Sequence, residues 1–164
     1  MAKVYLSLGS NLGLRAENLK KARNLIDKKA GKIVVQSSLY ESSPWGFDAT
    51  NLFYNQIIVI ESNKNPDLLL YIFKEIEQQL GRKTNSDPDK TYKSRRIDID
   101  IIYYNDMIIT NDKLSIPHPR MQHRLFVLVP LNEIAPDQFH PLFQKTTAEL
   151  LENCKDQGQV SLIN

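Results

Sequence analysis

Val4, Leu6 and Leu8 alternate with Tyr5 and Ser7, a period-two pattern that predicts a strand ending in the turn-rich Gly9-Ser10-Asn11-Leu12-Gly13. From about Arg15 the apolar spacing becomes helical, with Leu19, Ala22, Leu25 and Ile26 on one face. Lys28 and Lys29 suit the last turn of that helix and Gly31 its stop. Ile33 to Tyr40 reads as a second strand. A third runs from about Leu52 to Glu61, and Phe53, Asn55, Ile57 and Val59 share one of its faces by parity. Asn65-Pro66-Asp67 supplies an N-cap, a first-turn proline and an acid at the positive end of a second helix. Its stripe of Leu69, Ile72, Phe73, Ile76 and Leu80 ends at Gly81.

A polar stretch, 83–94, separates this helix from a strand that continues to about Tyr104. Asn105-Asp106 is a turn, and Met107–Ile109 with Leu114–Ile116 suggests a short hairpin. Pro117-His118-Pro119-Arg120 breaks the pattern, and Leu125 to Leu131 fits either a helix or a strand. Thr146-Thr147-Ala148-Glu149 is a capping box for a last helix through about Asn153. The order through residue 104 is β-α-β-β-α-β. This predicts an α+β fold, a ferredoxin-like antiparallel sheet with helices on one face, plus a C-terminal hairpin and helices. The other sheet face is then free for a site or covered by the C-terminal third.

Composition narrows the function classes. With 164 residues the chain is expected to form one domain, 1–164, without a fused second enzyme. Its net charge of +2, from 21 basic and 19 acidic residues, creates no global field for nucleic acid or anionic membrane. Any anion site must be local. The single cysteine, Cys154, allows no intrachain disulfide and suits a reducing cytoplasm. The N-terminus carries no basic-then-apolar signal segment, and no apolar run is long enough to span a bilayer.

Candidate chemistry concentrates in Arg95-Arg96-Ile97-Asp98-Ile99-Asp100-Ile101-Ile102. Isoleucines take one face and two carboxylates the other, with Cα atoms of the two acids about 6.5 Å apart. Carboxylates held that close repel unless a cation lies between them. An open pair of hard oxygen ligands suits Mg²⁺, and the preceding arginines suit phosphate. The competing reading is the solvated face of an edge strand.

Glu77 lies beside the apolar stripe of the second helix and Arg82 follows its terminating glycine; both read equally as surface charges. The polar stretch 83–94, with Tyr92 as its lone aromatic, reads as a lid or a solvated loop. His118, His123, Arg120 and Arg124 cluster around two prolines, which makes a phosphate-contacting His118–Arg124 pair plausible and leaves His123 as a bystander. His140 looks like a turn residue. Phe53 and Asn55, with Trp45, Phe47 and Phe126 available, suit a flat polar heterocycle: rings stack on its faces and the amide reads its edge. Ordinary core aromatics are the alternative.

Five segments, in order, resemble the 6-hydroxymethyl-7,8-dihydropterin pyrophosphokinases of folate biosynthesis. They are LGSNLG (8–13), YESSPWGFDATNLFYNQ (40–56), IEQQLGR (76–82), RRIDIDII (95–102) and IPHPRMQHRLFVLVPLNEIAP (116–136). The resemblance implies ATP-dependent transfer of a pyrophosphoryl group to the pterin hydroxymethyl oxygen, with AMP released. It further implies two Mg²⁺ ions on Asp98 and Asp100, with Arg82 and Arg95 joining these acids as catalytic groups. Glu77, Arg82, Arg95, Lys113, His118 and Arg124 would surround ATP, and Ser43, Trp45, Phe53, Asn55 and Phe126 would frame the pterin. A cytoplasmic monomer is expected. Many relatives carry Trp-Gly-Pro-Arg where this chain has Tyr92-Lys93-Ser94-Arg95. Two rivals stand beside this reading: a palm-like two-metal nucleotidyltransferase, and a non-catalytic small-molecule-binding regulatory module.

Overall fold

A computed structural model describes residues 1–45, 51–81 and 95–164. The elements, in order, are β1 (Ala2–Ser10), α1 (Arg15–Lys29), β2 (Lys32–Gln36), β3 (Tyr40–Ser42), β4 (Phe53–Ser62), α2 (Pro66–Gln79) and β5 (Asp98–Tyr104). The remainder comprises β6 (Ile109–Thr110), β7 (Ser115–Ile116), a 3-10 turn at Met121–His123, α3 (Leu125–Ile134), β8 (Phe139–His140), β9 (Lys145–Thr146), α4 (Thr147–Glu152) and β10 (Val160–Leu162). Six strands form one sheet in the order β10-β3-β4-β1-β5, with β2 joining β4 beside β3. Every pairing in it is antiparallel. The expected βαββαβ frame is therefore present.

The apolar alternation of β1 decides how the layers assemble. Val4, Leu6 and Leu8 face a core built with Leu19, Ala22 and Ile26 of α1 and Leu69, Phe73 and Ile76 of α2. Ile97, Ile99 and Ile101 complete that core from the β5 side. The opposite parity, Tyr5 with Ile57 and Val59, meets Val127, Leu128 and Leu131 of α3 and Leu150 of α4. The ambiguous run 125–131 is thus helical, with Pro130 inside it, and the C-terminal third covers part of the second sheet face. What it leaves uncovered is the end of the sheet nearest Asn55, Ser7 and Asp98.

Asn65 caps α2 as its sequence predicts, its Oδ1 accepting the Leu68 N–H at 2.9 Å. Removing that acceptor in Asn65→Ala should cost about 1 kcal/mol, seen as a lower chemical-denaturation midpoint with unchanged slope. Two expectations need correction. The single strand at 33–40 is broken into β2 and β3, because Ser37 leaves the ladder and bonds Ile57 through both its N–H (2.8 Å) and its Oγ (3.0 Å). Gly31 is not a left-handed helix stop. A Cβ there would lie 2.3 Å from the Glu61 carbonyl oxygen, so close approach of α1's exit to β4 demands glycine. Beyond residue 104, the predicted hairpin narrows to β6–β7, while a second hairpin, β8–β9, and the sheet strand β10 go unannounced by the sequence pattern.

Candidate functional site

The register of the sheet brings the chemistry-bearing side chains together. Gly9 of β1 lies opposite Asn55 of β4 on one side and Asp98 of β5 on the other. Ser7 is likewise flanked by Ile57 and Asp100. These residues point to the face shared with α3, where small side chains at 7 and 9 leave room. A cleft open to solvent, with about 550 Å³ of empty space counted out to its mouth, occupies that room. Its walls include the predicted Ser43, Trp45, Phe53, Asn55, Arg95, Asp98, Asp100, Arg124 and Phe126.

One end of the cavity is aromatic and amide-bearing. The Asn55 Nδ2 donates to Ser42 Oγ, which fixes the amide while leaving acceptor capacity on its oxygen. The buried Arg124 guanidinium stacks 4.6 Å from the centroid of Trp45 and 5.5 Å from that of Phe126. The other end is charged. Arg95 Nη1 donates to Asp98 Oδ1 at 2.9 Å. Burial, and next the negative charge of Asp98, push the Asp100 carboxyl up to about 8, against the opposing pull of Arg124 and Arg95. Added positive charge beside the pair would favour ionisation of Asp100.

His118 Nε2 lies 4.0 Å from Asp100 Oδ2, beyond hydrogen-bond length. Burial and the nearby Arg124 lower its pKa to about 4, so the ring is neutral. Its Nδ1 accepts the Arg120 N–H at 3.1 Å, which leaves the proton on the nitrogen facing the acid. The predicted His118–Arg124 neighbourhood is real, and Asp100 stands with it.

Two other predicted residues, Glu77 and Lys113, lie outside the cavity wall. Glu77 is buried, and its Oε1 accepts the Ile99 N–H at 2.8 Å. It therefore grips β5 at the residue between the two acids. Lys113 is exposed on the β6–β7 turn. Arg82, Phe47, Tyr92 and the lid expected at 83–94 lie outside the described residues.

Four wall or support residues escaped sequence reasoning: Ser7, Gly9, Ser42 and Asn11. Asn11 is buried and ties the first loop to the start of the acid-bearing strand. Its N–H donates to the Arg95 carbonyl at 2.9 Å, and its Oδ1 accepts the Arg95 N–H at 2.6 Å. The available signal was parity: a central strand with two apolar faces would not place Ser7 and Gly9 in consecutive positions on one of them. Arg15 braces the rim nearby, donating to the Leu52 carbonyl at 2.7 Å and stacking on Tyr54 at 3.9 Å.

Known proteins share the sequence and the fold of this chain. The family model of 7,8-dihydro-6-hydroxymethylpterin-pyrophosphokinase (HPPK) matches residues 5–136. A 2-amino-4-hydroxy-6-hydroxymethyldihydropteridine pyrophosphokinase of Porphyromonas gingivalis is 39% identical over 142 residues, covering 86% of this chain and 95% of that one. The protein of that name from Aquifex aeolicus is 37% identical over 149 residues, covering 91% and 90%. The folic acid synthesis protein FOL1 of Dictyostelium discoideum is 40% identical over 159 residues, but this chain spans only 23% of its length. Among solved structures, the HPPK-DHPS protein of Plasmodium falciparum superposes with a TM-score of 0.76 over 92% of this chain and 44% of that one. At 20% identity, that likeness concerns the fold. The family match and the identity to these relatives make the assignment: the chain belongs to the 7,8-dihydro-6-hydroxymethylpterin-pyrophosphokinase family.

Proposed function

We propose that the chain transfers an intact pyrophosphoryl group from ATP to the hydroxymethyl oxygen of 6-hydroxymethyl-7,8-dihydropterin, releasing AMP, as a step of folate biosynthesis. The observation that carries this reading is one cavity with two chemically different ends, rings and an amide at one and acids and arginines at the other. Phe53 and Phe126 offer faces to a bicyclic heteroaromatic, Trp45 and Ser43 close its sides, and Asn55 reads its polar edge. The hydroxymethyl group then projects toward Asp98 and Asp100.

Two Mg²⁺ ions held by Asp98 and Asp100 belong to this proposal. Among the described residues no three His, Cys, Asp or Glu side chains gather into a metal cage. A two-carboxylate site is nonetheless what Mg²⁺ uses when phosphates and waters complete its shell, and the suppressed ionisation of Asp100 marks a place that wants a cation. When bound, such ions neutralise charge on the entering and leaving oxygens of the transferred group.

The chain's own residues position and stabilise. A new bond forms between the hydroxymethyl oxygen and the β-phosphorus while the bond from that phosphorus to the α–β bridging oxygen breaks; AMP carries the electron pair away and the hydroxyl proton is released to solvent. Arg95 and Arg124, with Arg82, supply fixed positive charge along the phosphates. Neutral His118 and the turn-borne Lys113 flank the nucleotide, and Glu77 acts from beneath by fixing the Ile99 backbone. Pterin seated in the cavity would displace water that could otherwise compete as acceptor.

We further propose that 1–164 works as one domain and a monomer, in a reducing cytoplasmic setting that suits its single cysteine. Among the described residues no helix is long and apolar enough to cross a membrane. Product analysis tests the reaction. With ATP, Mg²⁺ and hydroxymethyldihydropterin, AMP and the pterin diphosphate should accumulate in equal amounts. Release of inorganic pyrophosphate with a nucleotidylated pterin would instead establish nucleotidyl transfer.

A further inference from the structure

The family model stops at residue 136, yet the last strand of this chain returns to pair with β3, whose Ser42 lines the cavity. Helix α3 begins without a side-chain cap of its own, because the N-cap position is Arg124. Its first free N–H, on Leu125, is instead accepted by Asp156 Oδ2 at 2.9 Å, from 31 residues further along. The same carboxylate, through Oδ1, accepts the Gly158 N–H at 2.9 Å. An acid there satisfies an orphan donor and complements the positive end of a helix whose first turn presents Phe126.

The tail also grips the opposite wall. Ser43 N–H donates to the Gln159 carbonyl at 3.1 Å, and Gln159 N–H donates to Ser43 Oγ at 3.1 Å. β10 then pairs with β3 from Val160 opposite Ser42 to Leu162 opposite Tyr40. Gly158 is wedged between the two contacts: a methyl group on it would meet Asp156 Oδ1 and Ser43 Oγ, each at 3.1 Å. A small crevice is lined jointly by Asp156 and Gly158 of this segment and by Trp45 and Phe126. So one short segment ties the helix bearing Phe126 to the strand exit bearing Ser43 and Trp45.

We infer that Asp156–Val160 is a positioning element for the aromatic end of the cavity, with Asp156 its principal residue, setting the separation of the two walls that enclose the heterocycle. The inference rests on the assignment of that end to pterin. Asp156 touches no substrate in this reading; it acts through Leu125 and Gly158. Arg95 and the acid-bearing strand are held through other bonds, Asn11 to Arg95 and Glu77 to Ile99, so the phosphate end is expected to be less disturbed.

Trp45 is the only tryptophan and lines the cavity, so its fluorescence reports binding to the intact chain. For Asp156→Ala the dissociation constant of hydroxymethyldihydropterin should rise about five- to tenfold, the scale of a lost helix cap, with that of Mg-ATP moving less than about twofold. Asp156→Asn, which keeps one acceptor oxygen, should recover part of the loss, and Gly158→Ala should weaken pterin binding independently. Thr146→Ala serves as the control. It removes the capping box of α4 and some stability, but should leave pterin affinity unchanged. Unaltered pterin affinity in Asp156→Ala, equal losses for both substrates, or an equal loss in Thr146→Ala would each overturn the positioning role. Failure of the unaltered chain to bind pterin would overturn the cavity assignment itself, and this role with it.

Discussion

Asp98→Ala and Asp100→Ala are each expected to lower turnover by about three orders of magnitude or more, with little change in melting temperature. The size follows from charge. Neutralising developing charge on a transferred phosphoryl group is worth several kcal/mol, and each 1.36 kcal/mol is tenfold in rate. The fold has a smaller stake in these acids, since the Arg95–Asp98 ion pair is partly exposed and such pairs contribute at most about 1 kcal/mol. Burial and the neighbouring Asp98 already oppose ionisation of Asp100 in the metal-free chain, so removing either acid relieves repulsion. Asp100→Asn should therefore be at least as heat-resistant as the unaltered protein in EDTA, while being nearly inactive. Steady-state rates with saturating Mg-ATP, set beside thermal melts, check both halves. Turnover within tenfold of the unaltered enzyme in either alanine variant would remove the carboxylates from the chemistry.

Phe126→Ala carries the second large effect. A ring stacked on a heteroaromatic contributes on the order of 1–3 kcal/mol when truncated, so pterin affinity should fall roughly 5- to 150-fold. Mg-ATP affinity should fall less, through the Arg124 guanidinium that stacks on this ring, because Arg95 and the two acids belong to the charged end. Isothermal titration with each substrate separately separates the outcomes. Matching losses for both substrates would mean that the ring does not sit against the pterin.

Much of this molecule was readable because local and tertiary preferences agree. In α2 the N-cap, the apolar stripe and the terminating Gly81, at φ +101°, all demand the same helix. The acid-bearing strand was legible for the same reason, since Ile97, Ile99 and Ile101 must all be buried on one side. Glu77 shows the limit. On the helical wheel it borders the stripe and passes for a surface charge, and only the arrival of β5 gives its carboxylate a backbone N–H to accept.

The break between β2 and β3 is similarly tertiary, because Ser37 replaces ladder bonds by contacts to Ile57 that lie 20 residues away. The tail was illegible for a different reason. Asp156 to Gln159 bury almost nothing apolar, so no periodicity marks a segment whose role is to supply a carboxylate and backbone groups at set points. Among the site residues, the rings and acids announced their chemistry. The small residues that make space for ligands, Ser7 and Gly9, did not.

Asn55, Gly9 and Asp98 sit on one rung of three adjacent strands, and this makes the sheet a ruler. Neighbouring strands are spaced by about 4.8 Å, so the amide that would orient the acceptor and the acid that would serve the donor are held roughly 10 Å apart by the hydrogen-bond lattice. Loop length does not enter that distance. A one-residue slip of β5 against β1 would leave the spacing intact yet turn both acids into the isoleucine layer. Adaptation of such an enzyme to a larger or smaller acceptor is thus open to change at its rims and closed to change along this rung.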